Sequence, residues 1–406
     1  MKVLISGASV AGPALAYWLH RHGFEPTLVE RAPAPRPGGQ GIDLRGTART
    51  VVERMGLMDQ IRARHTGVHG MVQVDASGRR LFDFGGDVLG DSGGIIAELE
   101  ILRGDLVDIF HRATRDDVEY LFDDSITSLS QGAEGVSVTF AHSAPRKFDL
   151  VIGADGVWSA VRRLAFGPHE EFLTDGGYHL SVFATPTLTD LQGQELMYNM
   201  PAGSGVGGRM AGLYPTADPD VARGMLFFAT DPLPYDRRDI AAQKRLVAGA
   251  FTDADWLVPR MVESMLAADD FYFARATRVH VDEWSRGRVA LLGDSVFGGS
   301  VGMGTSMAIV GAYVLAGELA AARGDHSVAF AAYQERLADY VCQCGRPMPG
   351  GTKGMLPATR LGIRVRNAGT RLMLAGPWRG AITGGLQKVA NMITLPDYGL
   401  AVQPTR

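Results

Sequence analysis

The segment Gly7-Ala8-Ser9-Val10-Ala11-Gly12 follows a short apolar run at 2–6. It has the spacing of a G-x-G-x-x-G phosphate loop, with Ser9 at the middle position. Glycines there permit a tight turn and close backbone approach to a pyrophosphate. Serine is small, and its hydroxyl donates to phosphate. Glu30 comes 18 residues after Gly12, where a carboxylate accepts hydrogen bonds from ribose hydroxyls. Two further apolar runs close on Gly and Asp. One ends Gly153-Ala154-Asp155-Gly156 and the other Gly293-Asp294. In open α/β sheets, ligands lie outside the carboxyl ends of the strands, so acids at those ends are placed to accept from sugar hydroxyls. The three motifs together read as a dinucleotide site.

The elements that must position these residues are legible. The run 2–6 reads as a buried strand, 14–22 as a helix stopped by Gly23, and 24–30 as a second strand. This β-α-β unit implies a right-handed crossover and a parallel sheet. The stretch 31–41, rich in Pro, Gly and Arg, is expected as a loop. Segments 47–58 and 100–113 read as helices, 68–84 as a hairpin, and 118–140 as strands around Gly132 and Gly135. Between 175 and 275 the texture changes to strand-like runs with Gly/Pro turns, plus helices near 239–251 and 258–267. A helix over 305–322 and a basic helix over 360–372 follow. The reading is a discontinuous nucleotide-binding unit with an inserted sheet unit.

Composition narrows the function. The chain has 406 residues, 40 Lys+Arg and 44 Asp+Glu, for a formal charge of −4. That balance argues against a nucleic-acid partner. Glycine, 52 residues, runs at about 13% against a usual ~7%, with no collagen period. Cys342 and Cys344 are too few and too close for a disulfide framework or a zinc site, and read as free thiols of a cytoplasmic protein. The apolar N-terminus lacks the pattern of a signal peptide, and no run reads as a membrane span. The ten histidines show no metal-ligand spacing. Gly-x-Ser-x-Gly occurs around Ser92 and Ser300, but neither has the strand-to-helix setting of a nucleophile elbow.

On these motifs the sequence resembles the FAD-dependent monooxygenases of the aromatic-hydroxylase type, across most of the chain. Leu102-Arg103-Gly104-Asp105-Leu106 matches the family's L-R-x-x-L helix, Asp155-Gly156 with Ser159 and Arg162 its Asp-Gly motif, and Gly293-Asp294 its Gly-Asp motif. The resemblance implies an α/β fold: a Rossmann-like FAD-binding domain, an inserted mixed β-sheet substrate domain and a C-terminal helical segment. The FAD-binding domain is expected at 1–69, 91–174 and 276–345, the substrate domain at 70–90 and 175–275, and the helical segment at 346–406. By the same resemblance, Gly7, Ser9, Gly12, Glu30, Arg31, Asp43, Arg103, Asp155, Gly156, Asp294, Gly302 and Gly304 are expected to contact FAD, and Arg36 NADPH phosphate. No catalytic side chain is assigned, because in this family the cofactor carries the hard chemistry.

One departure stands out. After Gly293-Asp294 the family continues with small residues, His or Tyr, and a Pro-containing stretch. Here the run is Ser295-Val296-Phe297-Gly298-Gly299-Ser300-Val301-Gly302-Met303-Gly304, short by a residue or two and without proline. The resemblance implies reduction of FAD by NAD(P)H and addition of O2 to give the flavin C4a-hydroperoxide. Hydroxylation or epoxidation of a bulky aromatic or polyketide-like molecule then follows. The altered run motivates the alternative of an FAD-binding, non-redox cyclase or isomerase. Met197, Tyr198, Tyr214, Phe227 and Phe228 are the candidate cleft residues. A monomer or homodimer without nucleic-acid or membrane partners is expected, and the halogenase signature Trp-x-Trp-x-Ile-Pro is absent.

Overall fold

The computed structural model describes residues 1–84, 99–203, 205–300, 302–346, 350–375 and 388–399. Ser92 with its surrounding motif, the apolar run 95–98 and Val301 lie outside the described residues. The chain opens with β1 (Lys2–Ser6), α1 (Ala11–Arg21), β2 (Glu25–Glu30), β3 (Gly41–Asp43), α2 (Thr47–Arg54) and α3 (Met58–Arg62). Next come β4 (Gly70–Val74), β5 (Arg80–Phe84), β6 (Glu100–Leu102), α4 (Arg103–Arg112), β7 (Glu119–Phe122), β8 (Ile126–Gly132), β9 (Gly135–Phe140), β10 (Arg146–Phe148), β11 (Leu150–Gly153) and α5 (Ala160–Ala165). The middle holds β12 (Leu173–Pro186), β13 (Gln194–Met200), β14 (Arg209–Pro215), β15 (Val221–Ala229), α6 (Ile240–Ala250), α7 (Val258–Ala267) and β16 (Tyr272–Val279). The last part holds β17 (Ser285–Arg286), β18 (Val289–Leu291), α8 (Asp294–Phe297), α9 (Gly304–Ala321), α10 (His326–Cys344), α11 (Gly351–Met355) and α12 (Arg360–Ala375).

The first sheet runs β17-β18-β11-β1-β2-β7, with β18, β11, β1, β2 and β7 parallel. The chain leaves β1 toward β2 on one side, and β11 returns on the other. The strand order therefore reverses at β1, and a crevice opens at the carboxyl ends of β1 and β11. The apolar strands bury both faces, as a covered parallel sheet requires. α9 is apolar on every side and long enough to cross a bilayer. It is instead a core helix, buried from Ser306 to Leu319 and packed among α1, α2 and α10.

The second large sheet runs β16-β12-β15-β14-β13-β4-β5; it is mixed, because β4 pairs parallel with β13. One of its faces forms a separate core with α6 and α7, built on Val72, Phe183, Tyr198, Leu226, Phe228 and Met261. A ribbon of β3 and β6 lies between the two sheets, with Asp43 opposite Glu100. This ribbon corrects the helix read over 100–113. Residues 100–102 are a strand, and Leu102 has extended φ and ψ as the cap of α4. Pairing with β3 prevails there over the helical spacing of Leu102 with Leu106.

Candidate functional site

The glycine loop is built for contact that no side chain would allow. Gly7 has φ of +105°, and a Cβ on it would lie 2.4 Å from the Ala154 carbonyl oxygen. A Cβ on Gly12 would lie 1.9 Å from the Gly7 carbonyl oxygen. The loop therefore sits flat between β1 and the end of β11. α1 begins behind it with no side-chain cap and no acid in its first turn, so its N-terminal N–H groups and positive end remain available to an anion. Ser9 Oγ accepts a hydrogen bond from Arg103 Nη1 at 3.2 Å, which brings the α4 arginine to the loop.

Glu30 ends β2. Its carboxylate accepts the Ala8 N–H at 2.9 Å and the Ala32 N–H at 3.0 Å. These bonds fix its direction and leave lone pairs for ribose hydroxyls. Arg31 follows it and is exposed. Asp155 ends β11. One oxygen accepts from Ser6 Oγ and from the Ala160 and Val161 N–H groups, while the other, Oδ1, is buried without a partner. Burial holds this carboxyl above the usual carboxylate range. Gly156 makes the turn that follows. Arg162 is fully buried and donates to the carbonyls of Ser295 at 2.7 Å and Val157 at 2.6 Å, tying α5 to α8.

Asp294 heads α8. Its side chain is open to solvent, yet burial by surrounding protein raises its pKa while Arg103 draws it down. A group both crowded and reachable lies at the bottom of a cleft. Gly304 adjoins it, since a Cβ there would lie 3.6 Å from Asp294 Oδ1, and one on Gly302 would lie 3.5 Å from Asp43 Oδ2. Asp43 pairs with Arg45 at 2.7 Å, and the Arg45 N–H bonds Ser306 Oγ at 3.1 Å, joining β3 to α9. α9 also begins without a side-chain cap or an acid in its first turn.

The altered run 295–304 closes by other means. Ser295 is buried and bonds the Gly153 carbonyl, and Phe297 packs on Trp284 with centroids 5.5 Å apart. The packing of Phe297 brings the chain to α9 without the expected proline. The sequence-predicted residues thus form one groove. Gly7, Ser9, Gly12, Glu30, Asp155 and Gly156 gather at the strand ends, with Arg103 and Asp294 along the groove and Asp43, Gly302 and Gly304 at its far end. Arg36 is exposed, and its charge acts on Arg103 from the loop after β2.

Opposite the far end stands the inner face of the second sheet. The strand registers put Met71, Glu195, Tyr214 and Arg223 in one row. Gln73, Met197, Gly212 and Met225 form the next, then Asn199, Met210 and Phe227. This corrects the cleft reading. Met197, Tyr214 and Phe227 face inward, whereas Tyr198 and Phe228 point into the core under α6 and α7. Strand alternation forbids adjacent residues from sharing a face. The Gly41 N–H bonds Tyr214 Oη at 2.8 Å, so the sheet meets the β3 ribbon there.

Sequence reasoning missed two acids at this junction. Burial, with Asp43 beside it, pushes Glu100 up to about 7, against a hydrogen bond from Thr66 at 2.7 Å. Burial, then Glu100 and Asp43, push Glu195 up to about 8. Their signal was the position of each in a short alternating run, which becomes meaningful only when the registers are known. Trp158, Tyr235, Arg237 and Tyr272, at the groove's mouth, were missed as well.

A family model described as an FAD binding domain matches residues 1–343. The chain is 43% identical over 343 residues to an uncharacterized protein of Mycobacterium tuberculosis, covering 84% of this chain and 90% of that one. It is 38% identical over 403 residues to a flavin-dependent monooxygenase of Legionella longbeachae, covering 98% of each. Among solved structures, tetracycline destructase Tet(51) matches with a TM-score of 0.79 at 33% identity over 98% of each chain. The groove fits FAD on its own terms. The glycines let the loop close tightly on Ala154 and on itself, two uncapped helix N-termini face the ends of the groove, and Asp155 Oδ1 lacks a partner. The chain belongs to the FAD-dependent monooxygenases of the aromatic-hydroxylase type.

Proposed function

We propose that this enzyme uses NAD(P)H and O2 to hydroxylate or epoxidise a bulky, flat, aromatic or polyketide-like molecule. The observation that carries this reading is the inner face of the second sheet. Met71, Met197, Met210 and Met225, with Met355 and Leu356 from the C-terminal segment, surface it with flexible apolar side chains. Among the described residues, polar groups flank it: Glu195, Tyr214 and Glu100 on the side of the ribbon, and Gln73, Asn199 and Arg366 where α12 meets it. That pattern suits a planar apolar body with oxygen functions at its edges. The tetracycline destructases Tet(51) and Tet(55), at 33% and 34% identity, point to tetracyclines as the first compounds to try.

When bound, FAD supplies hydride acceptance from NAD(P)H and activation of O2. The chain's own work is positional. Glu30, the glycine loop and Arg103 would hold the dinucleotide end, and Asp294 the polyol. The free N–H groups of α9 would face the ring and favour negative charge on it. The methionine face would exclude water from the reacting centre. The non-redox alternative drew on the altered run 295–304; with α9 in place behind Phe297, no observation favours it.

The test is anaerobic reduction of the flavin by NAD(P)H, then aerobic turnover with a tetracycline and related polyketides. Mass spectrometry should show a product heavier by one oxygen atom. Substrate conversion without NAD(P)H consumption would overturn the reading.

A further inference from the structure

Arg366 of α12 is half-buried where this helix meets the inner face of the second sheet. Its Nη2 donates to Asn199 Oδ1 and, at 3.3 Å, to Gln73 Oε1. The backbone holds both amides in that orientation. Asn199 Nδ2 donates to the Met355 carbonyl at 2.9 Å, and Gln73 Nε2 donates to the Met197 carbonyl at 2.8 Å. Their oxygens are therefore kept toward Arg366, and the guanidinium is fixed in direction before any ligand arrives.

Two neutral amides leave the charge of Arg366 unanswered. Elsewhere in the sheet unit, Arg209 is paired with Asp253, Arg223 with Asp270 and Arg275 with Asp175. Arg366 has no carboxylate partner among the described residues, and burial is the one influence that depresses its pKa. Its Nε–H is buried without a partner. Its Nη1 forms no hydrogen bond among the described residues. Oδ1 of the adjacent Asn367 is buried and unpartnered as well. A partly desolvated cation with idle donors is unfavourable, and an anion that accepts from those donors removes the penalty. A guanidinium suits an oxygen acid for this purpose.

The place of this cation orients a ligand. Asn199 and Glu195 lie on β13 and face the same side of the sheet. Their separation is about 13 Å, at ~3.3 Å per residue of strand, and the methionines stand between them. A fused-ring body held by one edge at Arg366 would present its opposite edge to Glu195, Tyr214 and the ribbon.

We propose that Arg366 is the anchor for an ionised oxygen acid, a carboxylate or an enolate, on one edge of the planar substrate, and that it selects acidic substrates over neutral ones of the same shape. This deepens the proposed function and rests on its reading of the methionine face as the substrate cleft.

The experiment is calorimetric titration of the oxidised, FAD-loaded enzyme with two matched pairs of flat molecules. Anthraquinone carboxylate against anthraquinone carboxamide tests the carboxylate. Hydroxynaphthoquinone, an acidic enol, against its methyl ether tests the enolate. Wild type, Arg366→Gln and Arg366→Lys are compared, with flavin content as the check on folding. Wild type should bind the anionic member of at least one pair about tenfold or more tightly than the neutral one, as a charge-assisted contact implies. Arg366→Gln should abolish that preference while binding the neutral member about as well as wild type does. Arg366→Lys should keep part of the preference, and raised salt should reduce it in wild type. Equal affinity for both members of both pairs in wild type overturns the proposal. So does a preference that survives in Arg366→Gln, or a uniform weakening that leaves the preference intact; the arginine would then serve only to hold α12. If no member of either pair binds wild type, the flat-substrate reading falls too. Binding of the neutral members without any preference for the anions removes this inference alone.

Discussion

Asp43 and Glu100 are register partners across the β3–β6 ribbon, and Glu195 of β13 closes on the same point from the other sheet. Three carboxyls thus meet where the two sheets join. Arg45 is engaged with Asp43, and Arg223 is paired with Asp270. Thr66 donates to Glu100, and Tyr214 shares the row of Glu195. Among the described residues Glu195 forms no ion pair.

That arrangement makes stability depend on pH in a defined direction. In the unfolded chain Glu100 and Glu195 lose their protons near 4.5; in the fold they keep them to about 7 and about 8. Between those limits the native state binds more protons, so stability falls as pH rises through the window and levels off above it. Glu195→Gln removes the larger part. Its melting temperature should match wild type at pH 5 and exceed it by about 2–4 °C at pH 9. Calorimetric scans at both pH values check this; an unchanged difference between the two would refute it.

Arg45 is the counter-charge of the cluster, and its side chain is only 8% exposed. Arg45→Ala leaves Asp43 facing Glu100 and Glu195 without it. Removing one partner of a buried pair costs about 3 kcal/mol. The double variant with Asp43→Asn should recover most of that loss, because the uncompensated carboxylate is gone. Chemical denaturation of the two variants gives the comparison. A double variant no more stable than the single one would show that the pair is not the source of the effect.

Gly12→Ala tests the glycine loop. The added Cβ would fall 1.9 Å from the Gly7 carbonyl oxygen, a backbone atom that cannot turn aside. The expected outcome is a protein that purifies without its yellow colour and binds added FAD at least about tenfold more weakly, because the loop must move away from the pyrophosphate position. Release of bound chromophore by denaturation measures it. Retention of a full complement of flavin would mean that the loop does not approach the cofactor.

The nucleotide side of this molecule was legible because its signals are local. Gly7 to Gly12, Glu30 and Gly293-Asp294 carry their meaning within a few residues of a strand end. The resemblance supplied Arg103 and Asp43, which lie on the ribbon or just after it. The substrate side was illegible for a physical reason. Whether Met197 or Tyr198 faces the cleft depends on pairing between β13 and β4, strands more than 100 residues apart in sequence. The same holds for Glu195, whose chemistry comes from Glu100 and Asp43 across a sheet boundary. Phe297 shows a third case. Its replacement of the usual residue looked like a damaged loop, and it is a packing solution against Trp284.

Arg366 ties the C-terminal helix to the floor of the cleft. From α12 its Nη2 donates to Asn199 Oδ1 and to Gln73 Oε1, the latter at 3.3 Å, while Asn199 Nδ2 donates to the Met355 carbonyl at 2.9 Å. Around it α12 is mostly exposed, with Leu361, Val365 and Leu372 open to solvent, so these bonds carry much of its attachment. Arg366→Ala should loosen α12 without unfolding the two sheets. Limited proteolysis should cut within 360–375 several-fold faster, at an unchanged melting temperature for the rest of the chain. Because Met355 and Leu356 close the methionine face, KM for the organic substrate should rise more than kcat falls, the sign of lost uniform binding. Equal loss in kcat at unchanged KM would instead place Arg366 in contact with the reacting centre.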